Sequence, residues 1–285
     1  MSLRLRPGIA ADAPACGAIC YSAFASVAER HGFPPDFPSA EVASGILSGL
    51  LGHPGFYSVV AEEDGTIIGS NFLDERSPVA GIGPITVDPT VQNRQIGRTL
   101  MNSVLDRAEQ QGFGAVRLLQ ATYHARSLSL YTKLGFESRE LVAVMQGDAL
   151  NLEIAGYSVR AAVQADLDSC DRLCKRVHGH HRSGELTDAI GQGAATVVER
   201  NDRITGYSTG MAFFAHSVAE TNDDMKALIG AASAFHGPGI LVPTRNGELF
   251  RWCLERGLRV VLPTTLMTVG LYNEPAGAYM PSILY

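Results

Sequence analysis

Residues 85–136 decide the reading of this chain. They open Ile85-Thr86-Val87-Asp88-Pro89-Thr90-Val91-Gln92-Asn93-Arg94-Gln95-Ile96-Gly97-Arg98-Thr99-Leu100 and close His124-Ala125-Arg126-Ser127-Leu128-Ser129-Leu130-Tyr131-Thr132-Lys133-Leu134-Gly135-Phe136. Residues 85–87 are β-branched and bounded by Pro84 and Pro89, which predicts a short strand. Residues 92–97 read as a polar turn. Beyond it Leu100, Met101, Val104, Leu105 and Ala108 recur at a helical period, and Gly112 ends the run. A strand, a turn and a helix start in succession make an anion site. The first-turn N–H groups have no partner within the helix, and the helix dipole favours negative charge beside them.

This stretch resembles the acyl-CoA-binding motif of the GNAT acetyltransferases. The family pattern is a strand ending in Val-x-Pro, then Gln/Arg-x-x-Gly-x-Gly/Ala at a helix start. Val87, Pro89, Gln92, Ile96 and Gly97 stand at its places, while Gln95 holds the position of the first glycine. The turn therefore needs a backbone conformation there that a residue with a side chain tolerates. On the next helix the family carries Asn-x-x-Ala-x-x-x-Tyr-x-x-x-Gly-Phe. His124, Ser127, Tyr131, Gly135 and Phe136 stand at those places. Each half alone is weak, and the two in order are specific.

The resemblance implies an α/β fold with a mixed, mostly antiparallel sheet flanked by helices, whose fourth and fifth strands splay to hold pantetheine. It implies acetyl-CoA as co-substrate, with no metal. The residues it nominates for binding are Ile85, Thr86, Val87, Gln92, Asn93, Arg94, Gln95, Ile96, Gly97, Arg98, Thr99, His124, Ser127 and Tyr131. Arg94 and Arg98 can meet phosphate oxygens, and Thr99 adds a hydroxyl. Ile85 and Val87 would offer backbone groups to pantetheine in the manner of an added strand. Tyr131 is the catalytic candidate. Acyl transfer from a thioester expels a thiolate, whose thiol has a pKa near ~8.5, and a phenol close to the sulfur can supply the proton. His124 is read either as a CoA contact or as a helix cap. Lys133 belongs to a solvated face or touches the 3′-phosphate. The general base is open among Asp74, Glu75, His31 and the terminal carboxylate of Tyr285. The irregular segment 28–43, with His31, Gly32, Pro34, Pro35, Asp36 and Pro38, falls where the family builds part of its acceptor site.

Outward from this motif the chain repeats itself, which bears directly on architecture. Residues 157–161 read as a strand like residues 3–7. Asp166, Cys170 and Cys174 stand 154 positions after Asp12, Cys16 and Cys20, and residues 244–258 echo residues 122–136 at an offset of 122. The expectation is two tandem GNAT-like domains, residues 1–148 and 155–285, the first catalytic and the second degenerate. The shorter second offset means residues have been lost, and they are missing where the pyrophosphate turn should be. Asp223 and Asp224 open that helix instead and would repel phosphate. Cys253 stands in the place of Tyr131. Within the first copy, Asp12 is expected to cap a helix with Pro14 just inside it.

Composition sets outer bounds. A chain of 285 residues, 46% of them apolar, suits two domains with proper cores. The net charge is −6 and no Lys/Arg block occurs, which argues against a nucleic-acid partner and agrees with a cationic acceptor. No apolar run reaches the ~18 residues of a membrane helix. The start Met1-Ser2-Leu3-Arg4 leads straight into an alternating strand pattern without a signal peptide. Five cysteines, an odd number, read as reduced thiols and a cytoplasmic location. Cys170, Cys174 and His178 share a helix face near His180 and His181, a spacing a metal could use. Cys16 and Cys20 repeat that spacing with no histidine after them, which favours core packing. Gly191 and Gly193 lack a strand-to-helix context.

Taken together, the expected activity is acetyl transfer from acetyl-CoA to a small-molecule amine by direct attack. The alternative is a non-catalytic acetyl-CoA-binding or assembly protein of the same fold. The second domain would shape the acceptor cleft or a homodimer contact.

Overall fold

A computed structural model describes residues 3–285, so the Met1-Ser2 part of the N-terminal reading lies outside the described residues. The first half runs β1 (Leu3–Pro7), α1 (Ala13–His31), α2 (Ala40–Gly52), β2 (Phe56–Glu63), β3 (Thr66–Asp74), β4 (Val79–Ile82), β5 (Thr86–Val87), α3 (Ile96–Gln110), β6 (Ala115–Ala121), α4 (Ala125–Lys133) and β7 (Glu137–Gln146). The second runs β8 (Ser158–Ala161), α5 (Leu167–His178), α6 (Ser183–Gly191), β9 (Thr196–Arg200), β10 (Arg203–Ser208), β11 (Ser217–Ala219), α7 (Asn222–Gly230), β12 (Ile240–Pro243), α8 (Gly247–Glu255), β13 (Arg259–Gly270) and β14 (Ala278–Met280). Among the described residues no helix is long and apolar enough to cross a membrane.

The repeat extends to individual ion pairs. Arg6 bonds Asp12 at 2.7 Å and Glu62 at 2.7 Å, and Arg160 bonds Asp166 at 2.7 Å and Glu199 at 2.6 Å. These bonds correct the expected role of Asp12. Its carboxylate caps no helical N–H of α1; it accepts from the backbone N–H of Ile9 and from Arg6. A single 3-10 turn ahead of α1 places it there. Helix α1 also runs further than the irregular composition after residue 28 suggests. It continues to His31, where Gly32 takes φ +72 and ends it.

Among the described residues nine strands form one sheet, ordered β1-β2-β3-β4-β6-β13-β7-β12 with β5 paired to β3. Five form another, ordered β14-β11-β10-β9-β8. Pairing is antiparallel except between β4 and β6. The repeats meet near residues 147–156, but the sheets do not divide there. Strand β13, from the second half, lies between β6 and β7 of the first, and β7 pairs in turn with β12. Each half thus lends a strand to the other. A central strand is buried on both faces, and β13 fits that place: Leu262, Thr264, Leu266, Met267 and Thr268 are all buried. Its buried hydroxyls are not orphaned, since Thr264 donates to Val142 O at 3.0 Å and Thr268 to Val116 O at 3.3 Å.

Helix α3 is held by the periodic residues of the motif. Leu100, Met101 and Val104 are completely buried against β2, β3 and β6. Truncating one of them, as in Leu100→Ala, would cost about 2–5 kcal/mol. The helix start beside the motif turn is therefore fixed by the core.

Candidate active site

The site forms where two parallel strands part. β4 and β6 pair at Val79↔Ala115, Ala80↔Val116 and Gly81↔Arg117, and there the ladder stops. The chain beyond β4 stays with β3, where β5 pairs Thr86 with Ser70 and Val87 with Gly69. Gly69 permits this approach, because a Cβ there would lie 2.7 Å from Thr86 O. β6 is meanwhile drawn to β13 on its other side. Between the separating strands lies a cavity of 410 Å³, within the range of small-molecule sites. Ile85, Thr86 and Val87 form one wall, and residues 118–121 form the other.

The motif turn closes one end. Gln95 stands at the N-cap position of α3 with φ +62 and ψ 6, its side chain capping no N–H, and Asn93 has φ +70. The glycine position of the family pattern is thus left-handed here, in a region a side-chain-bearing residue can occupy as a single residue. Gln92, Asn93, Gln95, Ile96, Gly97 and Arg98 all line the cavity. A Cβ on Gly97 would meet nothing closer than Leu130 Cδ2 at 3.7 Å and Val87 Cγ2 at 3.9 Å. No protein atom forces a glycine at this position, which leaves the space in front of it as a cradle for a ligand. Two nominated residues are not brought to the cavity. The Arg94 guanidinium is engaged by the Glu63 carboxylate, and Thr99 Oγ1 donates to Gln95 O at 3.2 Å on the outer side of the helix. Arg126 does line the cavity, and holds Gln92 Oε1 at 3.0 Å.

Helix α4 supplies His124, Ser127 and Tyr131. Tyr131 is buried, with its ring edge-on to Phe136 at 6.1 Å. Burial pushes its phenol up to about 12, against a smaller lowering by Ser127. It therefore keeps its proton throughout the neutral range. His124 stands at the N-cap position but caps no backbone N–H; its Nδ1 lies 2.7 Å from Ser127 Oγ. Burial first, then the charges of His31, Arg126 and Arg30, hold its pKa below the ordinary value, so it is neutral at pH 7.

The other base candidates are engaged elsewhere. Asp74 is held by Arg76 at 2.6 Å, and Glu75 by Arg107 at 2.7 Å. His31 Nδ1 lies 2.8 Å from Val27 O. Tyr285 is buried, and its backbone oxygen accepts from Arg182. Lys133 is exposed. Cys170 and Cys174 are fully buried in a core with Leu173, Val177 and Leu186.

Several lining residues were not nominated by the motif. Gln120 is 5% exposed, and neither its amide nitrogen nor its oxygen has a hydrogen-bond partner. Such a group costs about 1–3 kcal/mol unless water or a ligand in the cavity satisfies it. Asp36, Phe24 and Tyr123 come from other parts of the first half, and Phe213, Phe214, Leu262 and Ile283 from the second.

At the equivalent place in the second half β14 fills the gap between strands and leaves a pocket of 340 Å³ lined by Thr221, Asn222, Pro243, Asn246 and Tyr279. Where β11 would part from β12, β14 pairs with β11 at Ser217↔Met280, Val218↔Tyr279 and Ala219↔Ala278. The α7 start is self-contained: Thr221 and Asp224 form a capping box, and Asp224 is fully buried against Thr205 and Arg200. Asp224 is thus a structural cap, whereas Asp223 stays exposed beside Lys226. Cys253, at the place of Tyr131, is buried in the core.

With this geometry in place, the comparisons have a clear meaning. Residues 24–136 match the acetyltransferase (GNAT) family. Over 104 residues the chain is 31% identical to an IAA acetyltransferase of Azospirillum brasilense, covering 36% of this chain and 68% of the relative. The fold resembles that of a Pyrococcus horikoshii protein assigned as an acetyltransferase, with TM-score 0.76 and 16% identity over 97% of this chain and 94% of that one. It also resembles a tandem GNAT protein from the clavulanic acid biosynthesis pathway, with TM-score 0.57 and 13% identity over 94% and 98% of the two chains. This chain belongs to the GNAT acetyltransferase family. It is an acyltransferase built as a tandem GNAT fold.

Proposed function

We propose that this enzyme transfers an acetyl group from acetyl-CoA to a small-molecule amine at one site, built on the first half and walled in part by the second. The observation that carries this reading is one continuous cavity running from the α3 N-terminus, between the parted strands, to Tyr131. The diphosphate would sit against the N–H groups of residues 95–98, with Arg98 and Arg126 beside it. Pantetheine would add to the unpaired edges beside Ile85 and Val87 and meet Gln120. The thioester then lies near the Tyr131 phenol.

The chemistry is direct attack. The neutral amine forms a C–N bond with the acetyl carbon, the C–S bond breaks, and the sulfur leaves as a thiolate. The Tyr131 phenol donates a hydrogen bond to this thiolate, and the N–H proton shed by the new amide ends on the sulfur by way of that phenol, which is left neutral. The phenol is a weaker acid than the thiol it protonates, so its main contribution is a hydrogen bond to sulfur as charge develops. A cytoplasmic setting, which supplies acetyl-CoA and keeps buried thiols reduced, goes with this reading.

The test is a screen of amines by thiol release from acetyl-CoA, alongside calorimetric titration of acetyl-CoA itself. Amine-stimulated turnover is expected. Binding of acetyl-CoA with no amine able to stimulate thiol release would favour a non-catalytic role.

A further inference from the structure

We infer that Asp36 receives the acceptor's ammonium and takes its proton, and that the acceptor is a monoamine on an aromatic or other apolar body. The inference rests on the proposed use of the cavity for acetyl transfer. Asp36 follows α1, between Pro35 and Phe37, and faces the cavity. Among the described residues it is the only carboxylate that lines the cavity. The two arginines there, Arg98 and Arg126, stand at the α3 and α4 starts, where a phosphate needs them.

Among the described residues no cation pairs with Asp36. Burial alone moves its pKa, upward to about 6, and no cation lies near enough to pull it back. A carboxylate partly removed from water without a cation is unfavourable. An arriving ammonium resolves that cost. The surroundings extend the argument. Phe24 and Phe37 meet edge-on at 5.7 Å, Phe213 and Phe214 at 5.5 Å, and Tyr123 stacks on Phe33 at 4.1 Å. Aromatic faces attract a cation and accept an apolar body. One carboxylate in such a chamber serves one ammonium. A second charge, as on a polyamine, would be left unpaired among rings.

The ammonium passes one proton to Asp36, which later releases it to water. The neutral amine attacks the acetyl carbon, and its second proton ends on the sulfur by way of the Tyr131 phenol. The titratable groups whose fields reach or feel Asp36 are Cys20 on α1 and Tyr123 after β6, with His31 against Tyr123. Cys20 is pushed well up and Tyr123 up to about 12, both chiefly by burial, so neither ionises in the range where Asp36 does.

The full chain is assayed by thiol release with acetyl-CoA and phenethylamine, with spermidine and 2-phenylethanol as comparators. Phenethylamine should exceed spermidine in kcat/KM by about 10-fold or more, and the alcohol should be inert. Asp36→Asn should lower kcat/KM for phenethylamine on the order of 100-fold. Acetyl-CoA affinity by calorimetry should change less than about 2-fold, showing the fold and cofactor end intact. Wild-type kcat/KM should rise with pH through about 6, an inflection absent from the variant. Asp36→Glu should restore part of the rate. An unchanged rate in Asp36→Asn, or preference for spermidine, overturns the inference while leaving the acetyl-CoA reading in place. So does a wild type that binds acetyl-CoA but acetylates no monoamine. A wild type that does not bind acetyl-CoA removes the underlying reading and the inference with it.

Discussion

The Ser127 hydroxyl lies 2.7 Å from Nδ1 of His124, one helical turn ahead of Tyr131 on the face of α4 that meets the cavity. His124 is neutral and Tyr131 fully protonated at pH 7, for the same reason: burial disfavours the charged form of each. Tyr131→Phe keeps the ring against Phe136 and loses only the hydroxyl. Acetyl-CoA affinity should change little, and kcat should fall on the order of 10²-fold or more. Single-turnover measurements with a good acceptor check this; an intact kcat would assign the acid role to another group or to water.

Gly97 makes a prediction of two opposite signs. An added Cβ fits the ligand-free protein, since its nearest neighbours are at ordinary contact distance. Gly97→Ala should therefore raise stability by a few tenths to about 1 kcal/mol, because alanine favours a helix over glycine. The same methyl would fill the phosphate cradle, and acetyl-CoA affinity should drop about 10-fold or more. Thermal melting and calorimetry on one variant decide it: a stable protein with unchanged affinity would falsify the cradle.

One acetyl-CoA is expected per chain despite the repeat. The β11 edge that would receive pantetheine is already occupied by β14. The α7 start is spoken for by Thr221 and Asp224, and Cys253 offers no phenol. Equilibrium titration should saturate at one equivalent. Two equivalents would mean that β14 leaves its place.

Asp36 should carry a stability cost as well as a rate. Its pKa in the folded chain is raised from 3.8 to about 6, so folding favours its protonated form. The stabilisation is complete below about pH 4 and is lost as pH rises through about 6. Asp36→Asn should therefore be more stable than the wild type at pH 7, by roughly 1–2 kcal/mol after allowance for partial solvent access. The gap should close at pH 4. Melting curves at the two pH values measure it, and a less stable variant at pH 7 would mean Asp36 has a protein partner.

Local features were legible in the sequence. The strand, turn and helix around Gly97 and the α4 run to Tyr131 are specified by residues near one another in the chain. Glycine and proline mark their ends. The choice between Arg94 and Arg98 was not legible, because Glu63, distant in sequence, turns Arg94 away. Asp36 was legible only as one residue of the irregular segment 28–43 expected at the acceptor site, and not as a base candidate; its partial burial comes from residues brought in by other elements. The second-half wall was hidden for a deeper reason. Residues 259–270 are rich in β-branched side chains, which suits a strand, but composition does not say which strands lie on either side. Without that, Leu262 and Thr264 cannot be placed beside residues of the first half.

The exchange of β13 and β7 has a consequence for how the molecule is made. A ribosome that has released only residues 1–148 has released every motif residue but not the strand that belongs between β6 and β7. Until residue 270 emerges, both strands have open edges, seven and ten residues long. Such edges invite pairing with another nascent chain. The half that carries the motif residues therefore closes its sheet last, and only with a strand supplied by the other half.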